Sequence, residues 1–186
     1  MTLSALSQHI DTVPLIDHHV HGCQLRPVDR RRFENSLNAA NVEPLAEFDS
    51  AFDTQLGFAV RAHCAPLLGL PPHADADAYL RARGEHTETD IARLFLSSAQ
   101  VCDWLVDTGF ATGVADLDDL KALRVGRVHE IVRLESVAEQ AVRASGDYAS
   151  AFTAILHERA ATAVATKSIL AYRGGFVGDL SEPCAA

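Results

Sequence analysis

Basic residues are scarce in this 186-residue sequence: 16 Lys and Arg stand against 25 Asp and Glu, for a formal net charge of −9. A chain of that sign does not hold nucleic acid or an anionic membrane surface by long-range attraction, so a small molecule is the expected partner. Cysteine is sparse too, and Cys23, Cys64, Cys102 and Cys184 include no C-x-x-C pair. That spacing offers neither a disulfide framework nor a zinc knuckle, and reduced thiols are the expectation. No run approaches the ~18 apolar residues that a spanning helix needs, and the opening "MTLSALSQHIDTVPLI" lacks a basic region followed by a long apolar core. A cytoplasmic protein is therefore expected. Internal repeats and low-complexity tracts are absent as well.

What is present is the material of an ordinary folded domain. The chain is 48% hydrophobic and 22% charged, long enough for one substantial domain over 1–186 and short for two. Val13 to Val20 reads as a buried strand, entered at Pro14 and stopped at Gly22. A helical excursion over about 30–86 follows. It holds a stretch around Asp49 to Cys64 stopped before Pro66, a Pro-rich turn "LGLPPHAD", and "ADAYLRARG" with Gly84 as its C-cap. Thr87-Glu88-Thr89-Asp90 opens a further helix with capping-box spacing, and Ile91, Leu94, Phe95 and Ser98 share one face of it. Val101 to Asp107 is the second strand, closed by Thr108-Gly109. Glu130 to Glu135 is the third, after which Ser136-Val137-Ala138-Glu139 opens another helix. A helix from about Tyr148 to Ala160 leads into a fourth strand within "AVATKSILAYRGG". Strands separated by helical crossovers predict parallel pairing and an α/β fold.

The chemistry concentrates in "PLIDHHVHG", which spends three of nine histidines on four positions. Strand alternation puts Leu15, Asp17, His19 and His21 on one face and Ile16, His18 and Val20 on the other. His19 and His21 then converge near the carboxyl end of a parallel strand, where α/β proteins carry their sites. Two such imidazoles can reach one divalent cation, zinc or else manganese or iron. Asp17 is a ligand or a group that fixes a histidine tautomer. The alternative is a set of polar strand-end residues bonded to loops. Asp107, Arg133 and Glu135 lie at or near strand ends suited to substrate positioning, and Arg173 follows the fourth strand, where it could clamp a carboxylate. Cys23 continues the alternation past Gly22, which breaks the strand. His63, His73, His86, His129 and His157 fall on expected helices or loops outside any ligand spacing, and Arg30-Arg31-Arg32 reads as a solvated basic trio.

"PLIDHHVHG" resembles the first-strand H-x-H signature of the amidohydrolase superfamily. "CDWLVDTGF", "HEIVRLESVAE" and "TKSILAYRGGF", in that order, are similar to successive strand segments of its amidohydrolase-related (amidohydrolase 2) branch, which includes the amidohydrolase domain fused to glutamine-synthetase-like domains. "RAHCAPLLGLPPHADADAYLRARG" looks like the helical insertion that this branch carries after its first strand. The resemblance implies the first four strands of a (β/α)8 barrel of the metal-dependent hydrolase type. It implies that His19 and His21 ligate a divalent metal, and that Lys167 in "ATKSI" bridges two metals as a carbamate. The family's reaction is hydrolysis of a small-molecule C–N or C–O bond by metal-activated water. Its later-strand histidines and its aspartate on the eighth strand have no positions here, so the chain resembles an N-terminal half. Such a half is expected to be weak or inactive alone and to self-associate through its open half-barrel. The other readings are a non-catalytic barrel fragment acting through oligomerisation or a partner, and an unrelated α/β metal-binding module.

Overall fold

A computed structural model describes residues 4–38, 43, 46, 50–109, 113–144, 146–173 and 175. Asp49, the expected start of the first excursion helix, and Cys184 lie outside the described residues. Four parallel strands, β1 (Leu15–Val20), β2 (Val101–Asp107), β3 (Arg127–Arg133) and β4 (Ala165–Lys167), form one curled sheet in the order β1-β2-β3-β4. Because every strand runs the same way, the residues that end each one meet along a single rim.

Helices fill the connections: α1 (Ala5–Thr12) precedes β1, then come α2 (Arg30–Ser36), α3 (Gln55–Ala59), α4 (Ala76–Gly84) and α5 (Glu88–Ser98) before β2. Helix α6 (Leu117–Leu123) joins β2 to β3; α7 (Leu134–Arg143) and α8 (Tyr148–Ala160) join β3 to β4; α9 (Leu170–Arg173) follows β4. Short polar side chains start most of them, as amide groups without intrahelical partners require. Thr87 accepts from the Asp90 N–H at the head of α5. Asp116 accepts from the Asp118 and Asp119 amides at 2.9 and 2.8 Å while Asp119 accepts from the Asp116 N–H, a full capping box.

Several sequence expectations shift. Strand β1 is not buried: Leu15 and Ile16 are 44% and 62% exposed, because among the described residues β1 pairs only with β2. Its apolar run therefore marks an edge. Helix α7 begins at Leu134, directly off β3 and without a side-chain cap at Arg133, so Ser136 does not open it and Glu135 sits in its first turn. Gly84 is the last residue of α4, and Glu85, in right-handed helical conformation, closes it. His129 lies on β3. Arg30 is not simply solvated, since its Nε donates to Glu34 at 2.6 Å.

Among the described residues, two apolar clusters hold the molecule together. One packs Trp104 and Val106 of β2 against Ala92, Leu120 and Leu123 of α5 and α6, and the Trp104 indole N–H donates to the Val125 carbonyl at 3.1 Å. The other lies within the helical excursion, around Phe52, Ala65 and Tyr79 with Phe33 against them. Residues 104 and 106 face the helices, so Asp103, Leu105 and Asp107 alternate to the opposite, inner face. Removing the indole should open a cavity in the first cluster and orphan the Val125 carbonyl. Trp104→Ala is expected to lower the free energy of unfolding by about 3–5 kcal/mol in a urea titration. A loss under about 0.5 kcal/mol, the range of surface positions, would contradict this placement of the core.

Candidate metal centre

At the carboxyl end of β2, Asp107 points to the inner face with a side chain that is 0% exposed. His19 and His21 approach it from β1 and the residue that follows β1, each with a side chain 38% exposed. Their rings meet edge to face with centroids 5.2 Å apart. His19 Nε2 is 3.6 Å from Asp107 Oδ2, and His21 Nδ1 is 3.9 Å from the same oxygen. One ligand atom from each of the three residues lies within 4.8 Å of the other two. Donors bonded to one zinc ion at about 2.0–2.2 Å can stand at most about 4.4 Å apart. The two separations from Asp107 satisfy that bound, and two imidazoles with a carboxylate are a donor set that borderline divalent cations accept.

The surrounding charges explain how a dry carboxylate persists. Burial disfavours its ionised form, but hydrogen bonds from Arg133, from Lys167 and from the Gly109 N–H outweigh that cost and hold the Asp107 carboxyl well below the usual carboxylate range. Lys167, on β4, places Nζ 2.8 Å from Asp107 Oδ2 and 2.6 Å from His19 Nε2. For His21, partial burial lowers the imidazole pKa more than the Asp107 charge raises it. Its neutral form, the one that ligates metals, is thereby favoured.

The local chain path depends on close approach. A Cβ at Gly22 would lie 2.0 Å from the Ala115 carbonyl oxygen, and the Ala115 N–H donates to Cys23 O at 2.7 Å. Glycine therefore lets the segment before α6 pack against the exit of β1, directly behind His21.

Of the residues singled out from the sequence, the structure brings His19, His21, Lys167, Arg133 and Asp107 together. Asp17 stands apart. It pairs in register with Trp104, and an irregularity between Asp17 and Val20 breaks the strict alternation of β1. Its carboxylate instead accepts from the His19 N–H at 3.2 Å. Glu135 accepts from the Ser168 hydroxyl at 2.5 Å and the Ile169 N–H at 3.0 Å, tying α7 to the chain after β4. Arg173 is exposed at the end of α9. Below the rim, Asp103 binds Arg127 through two bonds of 2.7 and 2.6 Å and His129 at 2.8 Å, a second ionic group that spacing alone did not reveal.

No family model matches the chain, and no curated protein does. Among solved structures it is similar to one named "putative metal-dependent hydrolase" from Lactobacillus casei, at 27% identity and a TM-score of 0.65. The chain has a metal-dependent hydrolase-like fold. The match covers 91% of this chain and 45% of the Lactobacillus casei chain, so this sequence spans less than half the length of that relative. Among the described residues no helix is long and apolar enough to cross a membrane.

The depressed Asp107 value fixes a sign. A carboxyl held below its ordinary value of about 3.9 contributes stability that is fully present above that value and is lost as pH falls through the native one. Asp107→Asn leaves Arg133 without its buried partner and is expected to cost about 3–5 kcal/mol near neutral pH. In urea titrations the gap from wild type should narrow as pH falls below ~4. A gap of constant size down to acid pH would contradict the assignment.

Proposed function

We propose that this chain corresponds to the N-terminal half of a metal-dependent hydrolase of the amidohydrolase type, acting on a C–N or C–O bond of a small molecule. The observation that carries the reading is the convergence of His19, His21 and Asp107 within 4.8 Å at the carboxyl rim of a parallel sheet. The likeness to a solved chain named for metal-dependent hydrolysis supports it, as does the ordered resemblance of the strand segments. In this reading the sheet is the first half of a (β/α)8 barrel and the excursion that ends at α4 is its insertion.

His19, His21 and Asp107 would hold a divalent cation, zinc or else manganese or iron. When bound, such an ion supplies Lewis acidity, lowering the pKa of water and polarising a carbonyl. The chain's own groups have separate tasks. Asp107 supplies the negative charge that a dication needs in a dry position, while the half-exposed imidazoles leave a face open to solvent and substrate. Lys167 reaches the same atoms, and its conversion to a carbamate would replace a cation with two hard oxygen donors. The family's later-strand histidines and final aspartate are supplied by none of these residues, so hydrolysis by this polypeptide alone is expected to be weak.

A second reading, a non-catalytic half that works by association, draws on the sheet edges. Among the described residues β1 and β4 each pair on one side only, and β1 exposes Leu15 and Ile16. Elemental mass spectrometry of the purified, folded chain tests the first reading. About one divalent metal per chain is expected from three protein ligands with one position left open, with none in the His19→Ala/His21→Ala double variant. A folded wild-type protein that retains no metal and takes none up on titration would overturn it.

A further inference from the structure

We propose that Arg133 is the positioning residue for Asp107 and that Gly109 is the notch that admits its side chain, an inference that rests on the metal-centre reading above. Arg133 ends β3, the strand beside β2, and its side chain is 12% exposed. Its Nε lies 3.2 Å from Asp107 Oδ1 and 3.1 Å from Oδ2, and its Nη2 also bonds Oδ2. The Gly109 N–H also donates to Oδ1, at 2.9 Å. A carboxylate rotates easily about its last side-chain bond. With donors on both oxygens that rotation is blocked, and Oδ2 stays turned toward His19 and His21.

The guanidinium reaches this position only because residue 109 has no side chain. A Cβ there would lie 2.5 Å from Arg133 Cδ and 2.6 Å from its Cβ and Nε. The same turn is held from the helix side. The Thr108 hydroxyl donates to Glu130 at 2.7 Å, and Arg159 of α8 donates to Thr108 Oγ1 at 2.8 Å while pairing with Glu130. Two arginines thus grip residues 107–109 from opposite faces. Arg133 directs its fork at the protein's own carboxylate, which argues against a substrate clamp as its first task. A lysine cannot replace it, since an ammonium offers a point charge and no planar pair of donors.

The test is cobalt(II) titration of the full chain against a chromophoric chelator, with the visible spectrum of the bound ion recorded, for wild type, Arg133→Met, Arg133→Lys and Gly109→Ala. Circular dichroism establishes that each is folded, and Gly109→Ala, which leaves every charge in place, carries the test if an Arg133 variant does not fold. Loss of an outer partner of a metal ligand lowers affinity roughly 10–100-fold. A fall of that size is expected in Arg133→Met and Gly109→Ala, with altered cobalt bands, and Arg133→Lys should not restore them. Folded variants that bind cobalt with wild-type affinity and spectrum overturn the positioning role. If cobalt binding is nevertheless lost in His19→Ala/His21→Ala, the metal-centre reading survives that result. Wild-type protein that binds no cobalt overturns both.

Discussion

A single ionised carboxylate, buried where three strands end, constrains the rest of this rim. Taking Asp107 out of water is costly unless donors surround it, and the donors come from three places in the sequence: Arg133 on β3, Lys167 on β4 and the Gly109 amide. The register serves that demand. Arg133 pairs with Lys167 across β3 and β4, and Asp107 pairs with Ile131 one strand away. The cations therefore arrive beside the carboxylate from successive strands, and a one-residue slip of β3 would turn Arg133 to the helix side.

The sheet divides the labour between its faces. Its helix side supplies cohesion, through the cluster around Trp104 and Val106 and through the fully buried Val132. Its inner side carries charge at two levels, Asp103 with Arg127 and His129 below and Asp107 with Arg133 and Lys167 at the rim. The helical excursion keeps its own aromatic cluster, with the Phe33 and Phe52 rings 5.7 Å apart, so it does not compete for the sheet's core.

The strand–helix alternation was legible because strands and helices impose different periods, and β2 matched its expected bounds from Val101 to Asp107. The convergence of His19 and His21 was legible for the same reason. Asp17 stands apart from them because a break in register is set by the neighbouring strand, which local alternation does not encode. Helix α6 is not legible in the sequence. Its seven residues are too few to show a helical stripe, although the acidic run from Asp116 held its capping box. From its place in the sequence Asp107 reads as a strand-end residue suited to substrate positioning. That it would be the hub depended on contacts to residues 26 and 60 positions away, which only the sheet brings near.

The most direct test of the metal centre is anomalous X-ray diffraction from crystals grown with a divalent metal and collected at that metal's absorption edge. The expected result is one strong peak bounded by His19, His21 and Asp107, with bonds of about 2.0–2.2 Å. A peak at any other set of residues, or none at saturating metal, would contradict the role assigned to these three side chains.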